Sequence, residues 1–161
     1  LDQVHEEAFR ARLPAGVRAT VIRKPEMPVL ADGAAAVAAA LASGVDAQPL
    51  TEEARGARSA CILICDITRP VPNGLLLQPI IRALTAAGVP LSGITVLVAT
   101  GLHRPNLGDK LAELVGDPWV LANVKVENHY ARNDADHADL GRTPHGTAVK
   151  LDRRFVEADV K

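Results

Sequence analysis

The sequence predicts an α/β fold, with a mainly parallel sheet and flanking helices in a single domain, and three observations support it. Short apolar runs that end in polar clusters alternate with stretches of helical periodicity. The runs 59–65 and 94–99 are almost continuously apolar, the pattern of strands buried on both faces of a parallel sheet. The 161 residues suffice for one buried core but not comfortably for two. Hydrophobic residues make up 48% of the chain and aromatics 2%, so small aliphatic side chains must build that core, which suits helices packed closely on a sheet.

Residues 1–13 mix acidic, basic and apolar types without a clean period and read as an extension or short helix, broken by Pro14-Ala15-Gly16. Residues 17–23 carry β-branched side chains in partial alternation between Gly16 and Pro25 and predict a strand. Asp32-Gly33 turns the chain into an alanine-rich helix over 34–42. Thr51 is a candidate N-cap, with Glu52 and Glu53 in the first turn of a short helix. The strand 59–65 then delivers Asp66 to its carboxyl end. From Asn73 to Ala87, Leu75, Leu76, Ile80, Ile81, Leu84 and Ala87 follow helical spacing, and Gly88-Val89-Pro90 ends the helix. A third strand over 94–99 stops at Thr100-Gly101. A helix over 107–114, a fourth strand over 124–128 and a hairpin within 139–152 around Pro144-His145-Gly146 follow. Residues 155–159 start a helical turn that leads towards one more strand. This order predicts a Rossmann-like topology.

Charge excludes some partners. With 18 Lys and Arg against 19 Asp and Glu, the net charge of -1 provides no long-range attraction for nucleic acid or an anionic membrane. No 18-residue apolar stretch and no secretory leader occur, which points to a cytoplasmic setting. Cys61 and Cys65 fall on one strand face about 13 Å apart, too far to bridge. They read as two reduced core thiols rather than a metal pair.

Two polar clusters directly follow buried strands: Asp66-Ile67-Thr68-Arg69-Pro70-Val71-Pro72 and Thr100-Gly101-Leu102-His103-Arg104-Pro105-Asn106. Open α/β sheets bind ligands at the carboxyl ends of their strands. In the first cluster Arg69 is suited to grip a phosphate or carboxylate by a two-pronged hydrogen bond. The plainer alternative is that Asp66 caps the turn and Arg69 pairs with it on the surface. In the second, His103 is a candidate proton-transfer group, because an imidazole titrates near neutrality. The alternative there is a solvated or structurally bonded imidazole. No two of His5, His129, His137 and His145 have zinc-motif spacing, and His129, at a strand end, is the best of them. Glycine-rich dinucleotide, P-loop and nucleophile-elbow motifs are all absent.

Taken together, Asp66-Ile67-Thr68-Arg69-Pro70-Val71-Pro72, Val98-Ala99-Thr100-Gly101-Leu102-His103-Arg104-Pro105 and Val126-Glu127-Asn128-His129 resemble the N-terminal domain of the nickel-dependent lactate racemase family. Leu140-Gly141-Arg142-Thr143, Gly146-Thr147-Ala148-Val149 and Val156-Glu157-Ala158-Asp159 extend the likeness, which covers residues 45–161. Residues 1–44 then form an N-terminal extension, strand and helix. The resemblance implies a racemase or epimerase of 2-hydroxy acids, and a nickel pincer nucleotide, a nickel pyridinium-3,5-bisthiocarboxylate mononucleotide, held between this domain and a C-terminal one. It implies that His103 is one of two acid/base histidines, that Arg69 serves catalysis, and that Asp66, Ile67, Thr68 and Arg69 contact the cofactor. In the family the second acid/base histidine, the lysine bonded to the cofactor and the nickel-ligating histidine all follow the motif matched by Glu157-Ala158-Asp159. No metal ligand is therefore expected within this chain, nor bound cofactor, nor activity in isolation. The expected partners are a 2-hydroxy acid and the C-terminal domain, with no nucleic acid and no membrane. The loop Pro105-Asn106-Leu107-Gly108-Asp109-Lys110 lacks the Thr and Glu pattern of the family. Two other readings stay open: a non-catalytic Rossmann-like module that binds a phosphate-bearing small molecule, and an α/β scaffold.

Overall fold

The computed structural model describes residues 15–18 and 20–161. Helix α1, Gly33–Ala42, starts at Asp32, whose carboxylate accepts from the Ala35 amide at 2.9 Å. The short α2, Leu50–Glu53, precedes β1, Ala60–Cys65. Helix α3, Asn73–Ala86, ends where Gly88 takes a left-handed φ of 105° before Pro90. A 3-10 turn at Leu91–Gly93 feeds β2, Ile94–Ala99. Then come α4, Asp109–Val115, α5, Pro118–Asn123, and β3, Lys125–Asn128. The chain finishes with β4, His137–Arg142, β5, Ala148–Asp152, and α6, Arg153–Glu157.

Strands β1, β2 and β3 form a parallel sheet in that order, and β4 pairs with β5 in a separate antiparallel ribbon. Past α6 the chain returns to the free edge of β1, where Val160 pairs in parallel with Ala60 and its carbonyl accepts from the Cys61 amide at 2.9 Å. The α/β class, the parallel sheet and the single domain are as the sequence predicts.

The sheet has two unequal faces. Ala60, Ile64, Ile94, Val96 and Val98 point to one side and pack with Leu77, Ile81, Leu84, Leu114, Val115 and Val120 of α3, α4 and α5. On the other side Cys61 and Leu97 are covered by Phe155 and Ala158. Beyond that cover Leu63 is 51% exposed and Cys65 is exposed. Strand β1 is therefore not buried on both faces, and only Cys61 is a core thiol. The continuous apolar run misled because an open second face leaves no outward trace in a strand of small apolar residues.

Two further expectations need correction, and one observed helix had no counterpart among them. Residues 17, 18 and 20–23 form no strand; they have no regular structure, and Val21 and Ile22 are 73% and 91% exposed. Alternation makes a strand only where a sheet edge accepts it, and no described strand pairs there. Helix α2 begins at Leu50 after Pro49, with no side-chain cap, so Thr51 lies inside it. Helix α5 went unpredicted, although Asp117-Pro118 is a starting signal: the Asp117 carboxylate accepts from the Trp119 amide at 2.8 Å and proline occupies the first turn. The reading of residues 1–13 lies outside the described residues.

Candidate functional site

The register Cys65↔Ala99 and Val98↔Asn128 brings the carboxyl ends of the three strands level, so the segments after them meet along one rim. Asp66 leaves β1 buried, 5% exposed. One carboxylate oxygen accepts from the Thr68 hydroxyl at 2.6 Å and the Thr68 amide at 3.2 Å. The other oxygen lies 2.5 Å from His103 Nδ1.

His103 reaches that carboxylate through a tight turn. Gly101 takes φ of 56°, and the His103 amide donates to the Thr100 carbonyl at 2.9 Å. The Thr100 hydroxyl donates to the His129 carbonyl, fixing the root of the loop to the end of β3. The far end is held by Asn106, whose amide donates to Asn128 Oδ1 at 2.8 Å and whose carbonyl accepts from Asn128 Nδ2 at 2.9 Å. Asn106 Oδ1 also accepts from the Ile67 amide at 3.4 Å, tying the two loops together.

An ionised carboxylate only accepts hydrogen bonds, so the His103 proton facing Asp66 sits on Nδ1, and in the neutral imidazole the lone pair is then on Nε2. The Thr68 hydroxyl and then the His103 imidazole hold the Asp66 carboxyl below the usual carboxylate range. A cavity of about 410 Å³ opens here, lined by Asp66, Thr68, His103, Arg104, Asn106 and Lys110 among others. Arg104 and Lys110 set two cations in this lining beside the ionised Asp66. A more apolar hollow of about 270 Å³ lies on the open sheet face against Leu63, Leu97, Phe155 and His129.

The structure thus brings together Asp66, Ile67, Thr68 and His103. It does not bring in Arg69: the side chain is exposed and outside the cavity lining, though its amide donates to the Asp66 carbonyl at 3.1 Å. Nor does Arg69 pair with Asp66, whose oxygens are taken by Thr68 and His103.

His129 forms a second imidazole–carboxylate pair, Nδ1 to Asp152 Oδ2 at 2.8 Å. Arg154 clasps the same carboxylate at 2.9 and 2.6 Å and reaches Glu127 at 3.0 Å. The buried Asn106–Asn128 pair, Lys110, Asp152 and Arg154 were not singled out from sequence. Only distance in the fold joins them, and no local spacing encodes that. Among the described residues no three His, Cys, Asp or Glu side chains converge where they can hold a metal ion, and no helix is long and apolar enough to cross a membrane.

Residues 4–161 match the family model of the lactate racemase N-terminal domain. The chain belongs to that family. As a lactate racemase N-terminal domain it is 30% identical over 116 residues to the lactate racemase of Lactiplantibacillus plantarum, a match covering 72% of this chain and 27% of that protein. It is 27% identical over 121 residues to the lactate racemase of Thermoanaerobacterium thermosaccharolyticum, covering 75% and 28%. The solved lactate racemase apoprotein of the latter organism superposes with a TM-score of 0.66 at 28% identity, over 80% of this chain and 30% of that one. A Thermotoga maritima protein shares the fold, with a TM-score of 0.57 at 18% identity. The chain spans less than a third of the length of the curated relatives it matches.

Proposed function

We propose that this domain supplies one of the proton-transfer groups of a racemase or epimerase acting on 2-hydroxy acids, lactate being the substrate named for its relatives. The observation that carries the reading is the 2.5 Å contact between His103 Nδ1 and Asp66 at the rim of a polar cavity. Asp66 orients the imidazole and stabilises its protonated form, while Nε2 accepts the proton of the substrate hydroxyl and returns it. Asp66 accordingly acts through His103, and Thr68 acts through Asp66. Because the Thr68 hydroxyl proton is engaged by Asp66, anion binding at this rim falls to Arg104 and to Lys110 of α4, which line the cavity, with Arg69 exposed outside that lining as a further cation.

Those cations fit the phosphate of a nickel pincer nucleotide, and the segment Asp66, Ile67, Thr68 and Arg69 would face that group. The nickel ligands would come from a C-terminal domain. The bound group would supply hydride acceptance from the substrate carbon. We further take 45–161 as the part of the domain that carries the site and 1–44 as the segment leading into it, the family match running over both from residue 4, with α1 packed on α3 through Gly33 and Leu75.

The test uses a polypeptide carrying this domain together with the part that follows the match in its relatives, supplied with the cofactor. His103→Ala is expected to remove racemisation of D- or L-lactate, by about 100-fold or more. Unchanged isomerisation of every 2-hydroxy acid tried would overturn the reading. The same loss in Asp66→Asn would support the orienting role.

A further inference from the structure

The His103 side chain is 62% exposed, so packing does not hold it against Asp66. Its loop is fixed instead at two anchor points, Thr100 at the root and Asn106 at the far end. The second anchor is built from amides alone. Asn106 and Asn128 are 4% and 6% exposed, and the Asn128 side chain satisfies both backbone groups of Asn106. The reciprocal bonds also fix which end of the Asn128 amide is oxygen, since a flip would set donor against donor and acceptor against acceptor. From Asn106 the connection continues to the Ile67 amide, one residue past Asp66. A side chain at the end of β3 thus ties together the loop carrying the imidazole and the loop carrying its carboxylate.

We propose that Asn128 is a positioning residue that, through Asn106, sets His103 in register with Asp66. Asn128 is absent from the cavity lining and reaches the cavity only through Asn106, which does line it. Its catalytic consequence rests on the reading of His103 given above, but its structural content does not. Buried amides with satisfied partners are costly to disturb. Removing Asn128 leaves the Asn106 amide and carbonyl without partners inside the protein, and the cheapest relief is for the loop to lift its backbone to water. Lifting that end draws His103 from Asp66.

The readout is the titration of the Asp66 carboxyl, followed by NMR on this 161-residue chain. In His103→Ala the Asp66 midpoint rises, because one of its hydrogen bonds is lost while Thr68 remains. Asn128→Ala is expected to give the same upward shift in a chain that is still folded by circular dichroism. Asn106→Ala is expected to give a smaller one, because it cuts only the link to Ile67 and spares both backbone bonds to Asn128. A folded Asn128→Ala variant whose Asp66 titrates as in the unmodified chain would overturn the proposal, since a merely structural role lowers stability without moving that midpoint. Amide exchange in the unmodified chain provides a check that requires no variant. The Asn106 amide should exchange slowly, like the β3 amides, while those of Leu102 and Arg104 exchange fast; rapid exchange at Asn106 also overturns the clamp. In the cofactor-loaded longer protein Asn128→Ala should lower kcat by about 100-fold with little change in KM. Should Asp66 respond as expected while activity proves independent of His103, the clamp stands and the functional reading fails.

Discussion

Two imidazole–carboxylate pairs stand at the carboxyl rim, and they differ in what surrounds the carboxylate. Asp66 shares its charge with a hydroxyl and an exposed imidazole, so a change at His103 is felt at the cavity. Asp152 is enclosed. Burial alone would push its carboxyl up, but hydrogen bonds from Arg154 and then His129 outweigh that and hold it at about 2. A carboxyl whose folded-state value lies below its unfolded one stabilises the fold above the unfolded value and stops doing so as pH falls through the folded one. The stabilisation is thus present above about pH 4 and lost towards pH 2, and amounts to roughly 2 kcal/mol. Denaturant unfolding of the unmodified chain should show a steep loss of stability across that interval. Asp152→Asn should lower stability at pH 7 and flatten the acid limb. If the variant keeps the same acid limb, the charge on Asp152 does not carry it.

At the scale of elements, the helical face depends on a close approach. A Cβ added at Gly74, in the first turn of α3, would lie 2.7 Å from the Gly116 carbonyl oxygen, just past α4. That oxygen belongs to backbone and cannot rotate away, so Gly74→Ala should drive α3 and α4 apart and cost about 1–3 kcal/mol. Thermal unfolding checks this. An unchanged midpoint in Gly74→Ala would mean that the helices repack freely. The same elements show what was legible in the sequence. Strands β1, β2 and β3 and helix α3 could be read because each carries its own periodicity and ends on a polar or glycine signal. Asp66 and His103 could be located because they follow such strands. Their 2.5 Å meeting was not legible, since it depends on register between strands and on an amide pair 22 residues apart in sequence. The strand expected at 17–23 failed for the converse reason: its local pattern was adequate, but pairing is not a local property. Arg69 shows the same limit, being near Asp66 in sequence yet outside the cavity in space.

For the molecule as a whole, the asymmetry of the sheet matters most. One face is sealed by α3, α4 and α5, while α6 covers only part of the other, leaving Leu63, Cys65 and Ala99 open beside the site rim. Cys61 and Cys65 point to this same face, so any difference in their reactivity reports where the cover stops. Burial, followed by the nearby Asp152 charge, raises the Cys61 thiol above its ordinary range, which removes thiolate as well as access. Cys65 has neither restraint from burial nor a bridge to its neighbour. A maleimide or disulfide reagent added to the native chain should therefore modify one thiol per molecule, identified by peptide mass as Cys65. Cys61 should react only as the protein unfolds, at the rate set by global opening. Labelling both thiols at equal rates in the native chain would show that α6 and Phe155 do not cover the sheet as described. If labelling of Cys65 slows when the domain is joined to the rest of a longer relative-like chain, then the open face is where the remainder packs. If labelling is unchanged, the remainder leaves Cys65 uncovered.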